Sequence, residues 1–140
     1  MLTIQRSGNQ YLICMNPKQF LQIGGAVLLL VGVVGFFNII GPTPDASIFG
    51  ANWYFDNGEN WAHLLLGVIG IVAAFILSDM YQKQLVLVLG VVGVLVGIYS
   101  IFSPVFLGAN LENPADTLLH LVVGGWALFA ALSKRGAMMA

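Results

Sequence analysis

Four long apolar segments constrain the fold of this chain more than any other feature. They cover residues 20–40, 61–78, 84–103 and 117–133. A helix of on the order of 20 residues crosses a hydrocarbon core of about 30 Å, so each segment is long enough to span a membrane. Only 8% of the residues are charged, whereas about 25% are charged in a typical soluble domain. The sequence therefore predicts an all-α integral membrane protein with four transmembrane helices.

The basic residues predict how the helices are oriented. All five fall on one side of the predicted spans: Arg6, Lys18, Lys83, Lys134 and Arg135. The loops 41–60 and 104–116 contain acidic residues and neither Lys nor Arg. Because Lys and Arg accumulate in cytoplasmic loops, we expect both termini in the cytoplasm. The two acidic loops would then face the periplasm of a bacterial inner membrane or the lumen of a cyanobacterial thylakoid.

The N-terminal residues predict a short segment ahead of one membrane domain. Residues 1–16 carry a weak hairpin pattern and are interpreted as a cytoplasmic segment, and residues 17–140 as a single four-helix domain. Asn16 and Pro17 are a typical helix cap and first-turn proline. The first apolar segment is too long for a signal-peptide core, so we expect no removable signal. Cys14 is the single cysteine and predicts no internal disulfide.

The two halves of the domain resemble each other. Repeat one covers residues 18–79 and repeat two residues 80–135, with residues 35–42 aligned to residues 97–104. This alignment pairs Gly35 with Gly97 and Asn38 with Ser100. Each unit crosses the membrane twice, so both copies have the same orientation. The sequence therefore predicts a bundle of two parallel helical hairpins related by a pseudo-twofold axis.

The two histidines of the chain lie at matching positions in the second and fourth segments. Residues at i, i+4, i+7 and i+11 share one helix face. The two resulting faces are His63, Gly67, Gly70, Ala74 and His120, Gly124, Ala127, Ala131. Small residues beneath a histidine leave room for a flat tetrapyrrole whose metal the imidazole ligates, and they equally allow close helix packing. His63 and His120 are thus candidate metal ligands, and Gly67 and Gly124 candidate cofactor-binding residues.

Hydrogen bonding is the alternative role for these histidines. Asn38 and Ser100 are expected near the same membrane depth, where Asn38 could bond His63 and Ser100 could bond His120. Such a bond between membrane helices is worth about 0.6 to 2 kcal/mol. The residue pattern leaves ligation and hydrogen bonding as equal alternatives.

Several functions are disfavoured by what the sequence lacks. The interiors of the four predicted spans contain no Asp, Glu, Lys or Arg, which argues against an ion or proton pathway. The chain shows no nucleophile paired with a base and no phosphate-binding glycine loop, so we expect no enzymatic activity. A net charge of −1 without a basic patch argues against nucleic-acid binding.

The paired motifs resemble those of a known family. Asn60-Trp61-Ala62-His63-Leu64-Leu65-Leu66-Gly67 and Leu118-Leu119-His120-Leu121-Val122-Val123-Gly124 each follow a glycine-rich helix. In this they are similar to a family of uncharacterised four-span bacterial membrane proteins that also occurs in cyanobacteria. The resemblance extends from the first helix onward and implies the fold and the paired motif, but no activity. Thr117 stands where the motif leads us to expect asparagine or tryptophan.

These observations predict a small accessory subunit of a larger membrane complex. A photosystem is the leading candidate, with its core subunits and lipids as partners and with His63 and His120 ligating chlorophyll magnesium on the luminal side. One alternative is a b-type haem protein in which His63 and His120 bind the iron from opposite sides. Another is a structural membrane protein that binds no cofactor.

Overall fold

The computed structural model describes residues 15–133 and contains four long helices in this range. Helix α1 spans Pro17–Phe36, α2 Asn57–Ile76, α3 Asp79–Tyr99 and α4 Ala115–Leu132. Each is long and apolar enough to cross a membrane, which confirms the prediction of four membrane-spanning helices. The predicted N-terminal hairpin and Cys14 lie outside the described residues, as do three of the five basic residues. The sidedness of the protein stays a prediction.

All four helices begin a few residues before the corresponding apolar segment. At the start of α1, Gln19 N donates to Asn16 Oδ1 at 2.8 Å and Asn16 N donates to Gln19 Oε1 at 3.1 Å. This is a capping box, and it confirms the predicted start at Asn16 and Pro17. Asp56 and Glu59 form the same arrangement at the start of α2. Because capping residues are polar, hydropathy places the helix starts several residues too late.

Two closely packed helix pairs form the bundle. Helix α1 packs along α2, α3 packs along α4, and α1 also contacts both α3 and α4. Glycines allow the backbones to approach within each pair. A Cβ atom at Gly67 would lie 2.9 Å from the Gly25 carbonyl oxygen of α1, and one at Gly124 would lie 2.6 Å from the Val94 nitrogen of α3. In lipid, such close approach is a main source of helix association.

The same contacts recur in both pairs, in a register that differs from the predicted alignment. The recurring contacts join Gly25 to Ile71 and Gly90 to Leu128, and Gly32 to Leu64 and Gly97 to Leu121. By these contacts Gly97 corresponds to Gly32, and the predicted pairing of Gly97 with Gly35 is wrong by three residues. The predicted alignment also pairs Pro42, after α1, with Pro104, after α3. In the register of the contacts, the connection from α1 to its proline is longer than that from α3, so the two prolines are not equivalent.

The apolar core lies at the inner end of the bundle, where α1 and α3 begin and α2 and α4 end. It consists of Phe20, Leu21, Ala73, Ala74, Val86, Ala127, Ala130 and Ala131. The Phe20 and Trp126 rings meet edge to face at 4.6 Å between centroids. Gln82 of α3 donates through Nε2 to the carbonyl oxygens of Ala74 and Leu77. This satisfies carbonyls at the end of α2 that have no helical partner.

The outer end, at which α2 and α4 begin, is covered by two ordered loops. The first loop, residues 37–56, contains short 3-10 turns at Pro44–Ala46 and Gly50–Asn52. Helix α1 ends at Phe36, before the predicted boundary at residue 40, because Asn38 has a left-handed backbone conformation with φ 58°. The second loop, residues 100–114, contains a two-stranded antiparallel hairpin of β1 Val105–Phe106 and β2 Ala109–Asn110. This hairpin is a small departure from the predicted all-α fold.

Candidate functional site

The outer end of the bundle buries polar groups beneath its two loops. Five side chains there are almost inaccessible: Glu59, Asn60, Ser100, Asp116 and Thr117. The sequence placed the acidic members in loops, as markers of sidedness, and predicted no buried acid. Nothing in the apolar pattern distinguishes a buried acid in a first helical turn from a solvated one. Buried acidic groups are costly unless hydrogen-bonded, so their partners define the local structure.

Asp116, in the first turn of α4, joins the two loops. It is fully buried. Its Oδ1 accepts a hydrogen bond from Trp53 Nε1 of the first loop at 3.0 Å, and its Oδ2 accepts one from the Glu112 backbone N–H at 2.7 Å. Asp56 makes the reverse connection, because its Oδ2 accepts from the Asn110 backbone N–H of the second loop at 2.7 Å. The second helix pair therefore binds the first loop through Asp116, and the first helix pair binds the second loop through Asp56.

His120 has a defined tautomer. Its Nδ1 lies 2.8 Å from the backbone carbonyl oxygen of Asp116, one turn earlier in α4. A carbonyl oxygen only accepts hydrogen bonds, so Nδ1 carries the proton and Nε2 of the neutral ring carries a lone pair. Histidines that ligate metals are generally held in this way, through a hydrogen bond from the other ring nitrogen. The hydrogen bond thus sets the orientation of the His120 ring.

His63 has a different environment. Its ring packs edge to face against Phe55, with 4.9 Å between centroids, and Phe55 is itself buried. Nδ1 of His63 is buried and has no hydrogen-bond partner within residues 15–133. The matching sequence motifs therefore place the two imidazoles in unequal surroundings, and the tautomer is fixed only at His120.

Neither predicted histidine hydrogen bond forms. Asn38 is exposed in the turn after α1 and is not bonded to His63, because α1 ends before this position. Ser100 bonds Thr117 through their hydroxyl groups at 2.6 Å and donates to the Gly97 carbonyl at 2.8 Å. With His120 bonded to a backbone carbonyl instead, both predicted pairings are wrong.

The position of Thr117 explains its departure from the motif. In the first helix pair, the Asn60 amide fills the space over Gly35, where any Cβ would overlap it, and Asn60 Nδ2 donates to the Phe55 carbonyl oxygen at 3.2 Å. In the second pair, Thr117 is bonded to Ser100 at the corresponding point. One pair thus combines an amide with a glycine and the other combines two hydroxyl residues. The two helix pairs therefore fill equivalent positions with different polar side chains.

Neighbouring helices pack against the glycines that lie one turn after each histidine. Gly67 lies against Gly25 and Leu29 of α1, and Gly124 lies against Gly90 and Val94 of α3. Their missing side chains therefore allow helix packing, and a flat ring would have to approach the histidines from another side. Within the described part of the chain, no group of three or more His, Cys, Asp or Glu residues could hold a metal ion.

A cleft of about 640 Å³ opens between the two outer loops. Its lining includes Tyr54, Asn110 and Glu112 but neither histidine. Burial and the neighbouring Asp116 carboxylate raise the pKa of Glu112 to about 7. Burial, together with the charge of Glu112, also raises the pKa of Tyr54. Glu112 therefore favours its neutral form below about pH 7, where the cleft is less negative than its sequence indicates.

We expect the protein to lose stability as the pH rises from about 4.5 to about 7. The unfolded Glu112 carboxyl ionises near 4.5, whereas the folded one retains its proton up to about 7. The folded state therefore binds more protons in this window, and its advantage is lost as the pH rises through it. Thermal unfolding in mild detergent, followed by circular dichroism across this range, measures the effect. Glu112→Gln should reduce the pH dependence and the exposed Asp45→Asn should leave it unchanged; an equal slope in all three proteins would exclude Glu112 as a contributor.

The fold is a bundle of four helices, each long and apolar enough to span a membrane, with a buried polar cluster at its outer end. Comparison of this chain with protein-family models, with curated proteins and with solved structures found no match.

Proposed function

We propose that the protein is a small, non-enzymatic accessory subunit of a larger membrane complex and that His120 is an axial ligand to a tetrapyrrole. The observation that carries this proposal is the hydrogen bond from His120 Nδ1 to the Asp116 carbonyl. It leaves the Nε2 lone pair for a metal and orients the ring. Chlorophyll is the first candidate, because its magnesium takes one axial ligand, and a photosystem is the first candidate complex.

The helix surfaces support a role within a complex. Many large apolar side chains of all four helices are exposed in the isolated chain, including Leu30, Phe75, Leu95 and Val122. Such surfaces suit lipid or neighbouring transmembrane helices. We propose that the two halves of the bundle arose as a repeat and that both termini lie in the cytoplasm. The outer end of the bundle then faces the periplasm or lumen. A bound pigment would contribute light absorption, while this chain would hold and orient it.

The b-type haem alternative has less support from the geometry. It requires His63 and His120 to approach one iron from α2 and α4. Helix α1 contacts α3 and α4 as well as its partner α2. His63 also packs against Phe55 and lacks a bond that would set its tautomer. A single-histidine site at His120 needs no rearrangement of Phe55.

Variants of the two histidines test the proposal. We expect His120→Leu, purified from the native membrane in mild detergent, to lose the tetrapyrrole absorption that co-purifies with the wild-type chain. His63→Leu is the matched control and should retain that absorption. Circular dichroism of both proteins shows whether the bundle is folded. His120→Gly with added imidazole supplies a second readout, since an exogenous ligand should restore the absorption if only the ligating nitrogen was lost.

Two outcomes would contradict the assignment. Absorption retained in a folded His120→Leu protein would remove His120 as the ligand. Absorption lost only in His63→Leu would show that His63, and not His120, is the ligand. If the wild-type chain is colourless and both variants lose stability without spectral change, the protein is a structural subunit without a cofactor.

A further inference from the structure

The second outer loop carries an apolar hairpin that the proposed function does not use. Leu107 at its tip is 93% exposed and Phe102, just after α3, is 82% exposed. Residues 98–111 contain no Asp, Glu, Lys or Arg. A loop that faces water would ordinarily carry polar residues at such positions, because exposed apolar surface is unfavourable in water. The composition indicates an apolar environment for the hairpin.

The turn of this hairpin has an unusual residue at its tip. Leu107 has φ 52° and Gly108 has φ 85°. Two-residue hairpin turns with positive φ at both central positions strongly prefer Asn, Asp or Gly at the first of them. Leucine is unfavourable there, since its Cβ crowds the backbone at positive φ. A strained and exposed apolar residue is an outlier that calls for a functional explanation.

The hairpin continues the exposed face of α3. The exposed apolar residues of α3 recur at helical spacing and form one stripe: Val88, Val91, Val92, Leu95, Ile98 and Tyr99. At the outer end of this stripe the Tyr99 ring packs edge to face against Phe106 of the hairpin, with 5.5 Å between centroids. Because α3 is long and apolar enough to span the membrane, the stripe would lie within the apolar interior of the membrane. The hairpin extends that surface beyond the end of the helix.

We propose that the β1–β2 hairpin is an interfacial anchor that inserts Leu107 into the lipid leaflet at the outer end of the bundle. Tyrosine and tryptophan concentrate at the membrane–water interface, which matches Tyr99 at the base of the hairpin. The occupant is lipid because the apolar surface is continuous with the exposed stripe of α3, a helix long and apolar enough to span the membrane. Insertion compensates for the strained backbone at Leu107. The anchor also fixes the depth of the loop that binds Asp56.

Site-directed spin labelling tests this anchor in the full chain. The label is attached to Leu107→Cys in a Cys14→Ser background, and the protein is reconstituted alone into phosphatidylcholine vesicles. We expect the label to be more accessible to oxygen, which partitions into lipid, than to a water-soluble nickel chelate. A label at Asp45→Cys, an exposed acidic position in the first loop, is the matched control and should show the reverse order.

A second variant separates insertion from any effect of the label on the turn. With the label at Val105→Cys, we expect Leu107→Asp to shift accessibility from oxygen towards the nickel chelate, since a charge at the tip disfavours insertion. A water-like label at position 107 would overturn the proposal. So would a label at 107 that is shielded from both reagents, because that result reports a protein contact. An unchanged ratio at Val105 in the Leu107→Asp protein would overturn it as well.

Discussion

Replacing Gly124 with alanine should destabilise the bundle by about 1 to 3 kcal/mol, the usual range for an added methyl group in a well-packed interior. The new Cβ would lie 2.6 Å from the Val94 nitrogen and 3.0 Å from the Gly90 carbonyl oxygen of α3. Both neighbours are backbone atoms, so they cannot move aside without separating the two helices. Unfolding in mixed detergent micelles, followed by circular dichroism, measures the change in the free energy of unfolding.

The adjacent residue provides the matched control for this prediction. A Cβ at Gly125 would meet no atom within 4 Å, so Gly125→Ala adds the same atoms without a clash. We expect it to be neutral or to stabilise the helix by up to about 1 kcal/mol, because alanine is the better helix former. Equal effects of the two substitutions would show that α3 and α4 are not as close as described. The expected difference depends on packing and not on histidine ligation.

Asp116→Ala should lower the free energy of unfolding by about 2 to 4 kcal/mol, because two donors lose their acceptor in a buried setting. These donors are Trp53 Nε1 and the Glu112 backbone N–H. The loss should appear at the outer end first, as faster hydrogen exchange in both loops. Unfolding in detergent gives the size of the effect, and exchange measured by mass spectrometry gives its location.

Asp116→Asn distinguishes the hydrogen bonds of this residue from its charge. The amide keeps one acceptor oxygen and removes a negative charge near the buried Glu59 and the raised-pKa Glu112. We expect a smaller loss than in Asp116→Ala. If Asp116→Ala were as stable as the wild-type protein, repulsion among the carboxylates would outweigh the hydrogen bonds, and Asp116 would not hold the loops together.

Local rules are sufficient to predict most of the fold. The four spans follow from hydropathy, and the start of α1 follows from the capping pattern at Asn16 and Pro17. The glycine stripes predict close helix packing, which the structure has between Gly67 and α1 and between Gly124 and α3. These features depend on residues close together in sequence or on the free energy of transfer from water to lipid. Both can be evaluated from the sequence alone.

The outer end could not be predicted in the same way. Trp53 and Asp116 are 63 residues apart, and no local pattern indicates which loop donor reaches which carboxylate. The pairing of Ser100 with Thr117 depends on the register of α3 against α4, which no local pattern in the sequence indicates. The difference between His63 and His120 likewise arises from tertiary contacts, because both follow nearly the same local motif. Sequence identified the two histidines, and tertiary structure distinguishes them.

We propose that this bundle carries a tetrapyrrole on His120. The absorption spectrum of the chain tests this proposal, once the chain is isolated from its native membrane in mild detergent and separated from larger subunits by size, with pigment quantified per polypeptide. We expect red chlorophyll bands that stay with the isolated wild-type chain and are absent from folded His120→Leu. A colourless wild-type chain, or a pigment that survives unchanged in folded His120→Leu, would contradict the claim.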